Sequence, residues 1–341
     1  MHTYQRNVRL EGRSDRHFLE RVLVSHPFFN RFVPCCAQCA LTALIWPRFV
    51  APFRWELTRH DLPLAGLDAA FEGYRILQLT DFHVGQTRIS YLTHAVERCL
   101  DEKPDLIVIT GDLIDYHPWS LAPLEPLLRR IVARAGADGV CAILGNHDYH
   151  EYSWRHIGER SAHRAVHKRL IDMIRHAGIR LLRNEQLRLT RGAGVLTLVG
   201  LDEMWTGRAD PAAAFRGLSP GEPVICLQHN PDGIEFLKPY PWQFMLCGHS
   251  HGGQAHFPLL GPLYVPMVCR QYLRGFFHFP PVAGQPPALR QRTMFVSRGL
   301  GYSKPIRMRC RPEATVFTVT SAPGATASIP QGQSPRPSRE Q

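Results

Sequence analysis

The chain has 341 residues, 44% hydrophobic and 20% charged, which excludes a disordered polymer and leaves room for one large domain or two small ones. Its formal net charge of +11 points to anionic partners, namely phosphorylated substrates, acidic lipid surfaces or nucleic acid. The arginines are scattered rather than blocked with aromatics, so nucleic acid is the least expected of the three.

Nine cysteines, an odd count, include Cys99, Cys141, Cys226 and Cys247 inside expected helices and strands. Small buried thiols are used in this way in a reducing, cytoplasmic compartment. Cys35, Cys36 and Cys39 lack a second pair at zinc-finger spacing.

The first stretch carries no short apolar core leading to a cleavage site, so no secretory signal is expected. Ser14 and Asp15 are placed to cap a short helix with Phe18, Leu19, Val22 and Leu23 on one face. From Phe28 to Phe53 the chain is apolar but broken by Gln38, Pro47, Arg48 and Pro52, which weakens the case for a spanning helix. Three readings of residues 1–54 stand: a basic, aromatic segment on an anionic membrane surface, an extension packed on the domain and, the least expected, a spanning segment. The first would make the protein cytoplasmic and peripheral on the inner face of the membrane.

From Trp55 the pattern is cleaner. Strands are expected at 75–80, 105–110, 139–144, 196–200, 224–228, 242–247, 294–297 and 315–320, each a short run rich in apolar residues. Helices are expected from about Tyr91 to Leu100, from Pro123 to Ala135, and in the stretch ending near Ala177. The last buries Val166, Leu170, Met173, Ile174 and Ala177. Residues 55–320 form one domain, and the Pro/Gly/Ser/Gln-rich 321–341 a disordered tail. Strand–helix alternation gives an α/β layered fold, with polar clusters at the carboxyl ends of strands, where such sheets place ligands.

Those clusters are Asp81 and His83, Asp112, Asn146 and His147, His229, and His249 and His251. In the last pair, one residue between two histidines on extended backbone turns both imidazoles to one side. Carboxylate, imidazole and amide oxygen suit manganese, zinc or iron. The set is too large for one ion and fits two sharing a bridging carboxylate.

Asp-x-His, Gly-Asp, Gly-Asn-His-Asp, a lone His and Gly-His-x-His, in that order between Tyr74 and Ser303, resemble the calcineurin-like metallophosphoesterase superfamily. The resemblance implies a β-sandwich flanked by helices. It implies two divalent ions, manganese first with zinc or iron as alternatives. Asp81, His83 and His251 would hold one, Asn146, His229 and His249 the other, and Asp112 would bridge them. A metal-bridging hydroxide would attack phosphorus, and His147 would protonate the leaving oxygen or steady its charge. Asp115 would orient His147, with Asp148 the alternative. Gln254 and Arg298 would touch phosphate or serve only the turns they sit in.

Gly-His-Ser-His-Gly-Gly-Gln, His-Asn-Pro-Asp and Leu-Thr-Asp-Phe-His look like the bacterial branch of membrane-associated phosphodiesterases, some of which hydrolyse UDP-2,3-diacylglucosamine in lipid A synthesis. Tyr116, where protein phosphatases of the family carry Arg, argues against that branch. Tyr152, Trp154, Arg155, Arg160 and Arg164 either favour an acylated, anionic substrate or form a solvated cap. The expected activity is hydrolysis of a phosphodiester or pyrophosphate in a phosphorylated small molecule or lipid-linked substrate. The alternatives are a cyclic-nucleotide or general phosphodiesterase, and a non-catalytic member of the fold.

Overall fold

The computed structural model describes residues 45–115, 117–149, 160–219, 221–257, 261–262, 265, 267–281 and 292–322. The expected helix after Ser14, the Cys35–Cys39 cluster, the stretch 150–159 and the tail from 323 lie outside these residues.

In chain order the strands are β1 (Glu56–Leu64), β2 (Arg75–Leu79), β3 (Leu106–Thr110), β4 (Val140–Ile143), β5 (Arg180–Leu181), β6 (Glu185–Arg191) and β7 (Gly194–Gly200). They continue with β8 (Val224–Leu227), β9 (Phe244–Cys247), β10 (His256–Phe257), β11 (Gly261–Pro262), β12 (Gly275–Phe279), β13 (Arg292–Val296) and β14 (Glu313–Ser321). One six-stranded sheet runs β1-β14-β2-β3-β4-β5 and the other β12-β13-β9-β8-β7-β6, with β10 and β11 as a separate hairpin. Strands β2 to β5 are parallel, as are β13, β9, β8 and β7. Their carboxyl ends therefore point one way within each sheet.

Each inner strand divides its residues between two cores because successive side chains face opposite ways. In β3, Leu106 and Val108 meet Leu198, Ile225, Leu246 and Phe295 of the other sheet. Ile107 and Ile109 face helices α1 (Ile89–Leu100) and α2 (Leu121–Ala133). Both faces being covered, the strand reads as an unbroken apolar run. On α1, Leu92, Ala95, Val96, Cys99 and Leu100 recur at helical spacing and are buried. Short helix α3 (Asn146–Tyr149) follows β4, and α4 (Arg160–His176) turns Val166, Leu170, Ile171 and Ile174 inward. The outer face of the second sheet is covered by Phe215, Ile234, Leu237 and Trp242.

The expected layered α/β fold is present as two sheets with helices outside them. The inner strands fall within a residue or two of their expected bounds, and α2 begins two residues before Pro123. Six strands were not expected: β1, β5, β6 and β12 of the two large sheets, and β10 and β11 of the hairpin. The last strand extends through Ser321, into the stretch read as tail. Ahead of β1, residues 46–53 lie on the domain: Arg307 donates its backbone N–H to the Pro47 carbonyl at 2.7 Å, and Phe53 packs edge-on against Tyr91. No helix among the described residues is long and apolar enough to cross a membrane.

Candidate metal centre

Every candidate ligand sits just past a strand end, where the ladder stops and the backbone is free to turn. Asp81, His83, Asp112, His249 and His251 all have positive φ, between 44° and 68°. L-residues rarely adopt that region, and such strain persists only where the surroundings enforce it. Here they do. His83 donates its N–H to the Asp112 carbonyl at 3.0 Å, His249 N–H binds Asp81 Oδ1 at 3.0 Å, and His147 N–H binds Asp112 Oδ1 at 2.9 Å. Two glycines allow the loops to close on the carboxylates. A Cβ on Gly145 would lie 2.2 Å from Asp112 Oδ1, and one on Gly248 would lie 2.5 Å from Asp81 Oδ2.

The structure brings all seven expected ligands together, and each is at most 5% exposed. One set comprises Asp81, His83 and His251, with His83 Nε2 2.9 Å from His251 Nε2 and Asp81 Oδ1 3.4 Å from the latter. In the other, Asn146 Oδ1 lies 3.2 Å from His229 Nε2 and 2.8 Å from His249 Nδ1. Asp112 Oδ2 stands between the sets, 3.5 Å from His83 Nε2 and 3.2 Å from His229 Nε2. His229 donates Nδ1–H to the Thr110 carbonyl at 2.7 Å, which turns Nε2 toward Asp112 and Asn146.

Burial pushes His83 down to about 4, helped by the neighbouring His147 charge. Burial also resists ionisation of Asp112 and His229, but their mutual attraction outweighs it. Asp112 is held low, and His229 is raised to about 10. Oxygen and nitrogen donors crowded this closely out of water need a positive charge between them. The residues therefore fit a pair of divalent cations, one per set, with Asp112 reaching both.

His147 differs from the ligands in being 23% exposed. Its Nδ1 lies 2.7 Å from Asp115 Oδ1, while its ring also approaches His83 and Asp112. Asp148 faces elsewhere: its carboxylate accepts the N–H groups of Leu113, Ile114 and Gly145, bracing two loops. Gln254 is tied to the Lys304 carbonyl, and Arg298 is engaged by Glu56 and Glu313. Both serve the turns that carry them.

Sequence reasoning missed three contributors. Thr80 donates to Asp81 Oδ2 at 2.8 Å. Trp205, 37% exposed, stands edge-on to His249 with ring centres 4.7 Å apart. Arg307 is wholly buried behind His251. Thr80 lies inside the Leu-Thr-Asp-Phe-His block without having been given a role, and a lone Trp or Arg in a loop carries no spacing signal.

Buried carboxylates and imidazoles gathered in two sets around a shared aspartate make a candidate dinuclear metal centre of hydrolytic type. The family described as calcineurin-like phosphoesterase matches residues 74–253. Phosphodiesterase YaeI of Escherichia coli is 29% identical over 84% of this chain and 97% of its own length. The uncharacterized metallophosphoesterase YkuE of Bacillus subtilis is 30% identical over 81% and 89%. UDP-2,3-diacylglucosamine pyrophosphatase LpxG of Chlamydia muridarum is 29% identical over 80% and 92%. The chain belongs to the calcineurin-like phosphoesterase family. It is a hydrolase of phosphoric esters or anhydrides in a family that depends on a pair of metal ions.

Proposed function

We propose that the protein hydrolyses a phosphodiester or pyrophosphate bond in a lipid-linked substrate such as UDP-2,3-diacylglucosamine, with manganese as the working metal. The observation that carries the reaction class is Asp112 standing between two buried donor sets beside the solvent-facing His147–Asp115 pair. Asp81, His83 and His251 would hold one ion, Asn146, His229 and His249 the other, and Asp112 would serve both. Bound there, two divalent cations supply positive charge to a phosphoryl group and an activated water at neutral pH. His147 gives a proton to the leaving oxygen. Asp115 holds the imidazole in place and favours its charged form.

The lipid-linked substrate is supported by relatives named for that pyrophosphatase activity. It is also supported by the chain ahead of β1, where Ile45 and Trp46 are each 42% exposed and Phe49 60%. Arg48 and Arg54 stack over Phe49 and Trp46, an apolar surface rimmed by cations that suits an anionic membrane face.

Phosphorus NMR of manganese-loaded protein with UDP-2,3-diacylglucosamine in detergent tests this, with an aryl phosphodiester in parallel. Release of UMP and lipid monophosphate is expected. Turnover of the aryl diester alone would leave a phosphodiesterase with a soluble substrate, and turnover of neither would remove the proposal.

A further inference from the structure

Arg307 has no exposed surface and makes no ion pair among the described residues. A guanidinium cannot shed its proton, so burying one is costly, and the cost is offset only as far as its donors find acceptors. Nε has no hydrogen-bond partner among the described residues, and the two terminal nitrogens donate to backbone carbonyls. Nη1 donates to His251 O at 2.9 Å, and Nη2 donates to Gly301 O at 2.6 Å and Arg298 O at 2.9 Å. Nη2 also lies 3.2 Å from His251 Nδ1.

The two loops joined in this way carry or back ligands of one metal set. His251 belongs to it directly. The 298–301 loop lies against Asp81: Gly301 donates its N–H to Asp81 O at 2.8 Å, and a Cβ on Gly299 would meet Asp81 Cβ at 2.7 Å. None of the hydrogen bonds given for Arg307 reaches Asn146, His229 or His249. A flexible apolar side chain would fill the same volume without the cost of a buried charge. A planar fork fixes carbonyl directions as no apolar group can.

We propose that Arg307 is a positioning residue for the Asp81/His83/His251 metal set, clamping the His251 loop to the loop behind Asp81 and thereby setting the affinity of that one site. The proposal rests on the two-metal reading given above. Removal of a group that orients a metal ligand typically weakens binding by about 10–100-fold. Asymmetry is the distinctive consequence, because a general loss of packing would weaken both sites alike.

The experiment is titration of the full-length chain with manganese, followed by calorimetry and by electron paramagnetic resonance, on wild type, Arg307→Lys and Arg307→Met. In the folded variants one of two sites should weaken by about 10–100-fold while the other keeps its wild-type affinity. In a His251→Ala background, where only the second site remains, Arg307→Lys should change nothing further. Unchanged affinities in a folded variant, equal weakening of both sites, or a further loss in the His251→Ala background would each overturn the proposal. So would the unfolding of both variants, which would make Arg307 a fold residue only. A wild-type chain that takes up fewer than two ions would overturn the two-metal reading itself. Two ions in wild type with no change in Arg307→Lys would overturn only the role of Arg307.

Discussion

His147 Nδ1 and Asp115 Oδ1 lie 2.7 Å apart, joining the most exposed imidazole of the site to a carboxylate buried beneath it. Burial alone would lower the pKa of His147, but the Asp112 charge and the Asp115 hydrogen bond outweigh it and raise the value. A proton donor of this kind loses activity as pH rises through its pKa. Asp115→Asn removes one of the raising influences, so the alkaline limb of the kcat profile should move to lower pH. His147→Ala should lower kcat by about 10²–10⁴-fold while two manganese ions remain bound. An unmoved limb in Asp115→Asn would assign that limb to another group, and lost metal in His147→Ala would make His147 a ligand.

Asp112 reaches both donor sets, so Asp112→Asn should weaken both ions together. Metal content after dialysis against micromolar manganese should fall from two per chain to less than one. Full retention of one ion would place Asp112 in a single set.

Metal removal should lower stability, because the ions bind ligands gathered only in the folded chain. At a hundredfold excess over Kd each bound ion adds about 2.7 kcal/mol, and EDTA should return it as a lower urea midpoint. Uptake should also release protons. Asp112 and its neighbours, working against burial, raise His229 to about 10, so its imidazole is charged at neutral pH and must become neutral to coordinate. Affinity should therefore weaken as pH falls. Calorimetry in buffers of different ionisation heat would read the release, and a value of zero would contradict the Asp112–His229 pair.

Gly145→Ala should abolish metal binding with Asp112 itself intact, since the added methyl would lie 2.2 Å from Asp112 Oδ1 and 2.5 Å from its backbone nitrogen. Gly139→Ala is the control: nothing lies within 4 Å of a Cβ there, so only its positive φ is strained. A variant at Gly145 with wild-type metal content would mean that the loop yields more readily than its contacts indicate.

Removal of residues 1–54, which takes away the exposed Ile45, Trp46 and Phe49 along with the Pro47–Arg307 and Phe53–Tyr91 contacts, tests the membrane reading. The shortened chain should leave anionic vesicles while still turning over an aryl diester. Unaltered flotation with vesicles would remove the segment from membrane binding.

The inner strands were legible because two buried faces force a continuous apolar run, as in Leu106–Thr110. Apart from the two-residue strands of the β10–β11 hairpin, the strands that went unread, β1, β5, β6 and β12, are the outermost strands of the two large sheets. An edge strand covered on one face admits charges and proline, and β1 reads Glu-Leu-Thr-Arg-His-Asp-Leu-Pro-Leu. The ligands were readable because metal chemistry restricts residue type and the strand ends restrict position. Arg307 was not readable, because it acts through carbonyl oxygens that every residue possesses. The preference for Asp115 over Asp148 came from the resemblance; the loop path that brings Asp115 to the imidazole and turns Asp148 to backbone N–H groups carries no sequence signal.

The place of β14 bears on how the molecule is made. The last strand inserts between β1, the first, and β2, which delivers Asp81 and His83. A growing chain emerging from the ribosome would carry most of its ligands well before residues 313–321 exist. Until those residues arrive, β2 lacks the neighbour on one side and Glu313 is missing from beside Arg298. A lasting grip on metal thus belongs to the chain that carries β14, and a product truncated before it, however rich in histidine, would be a poor competitor for divalent ions.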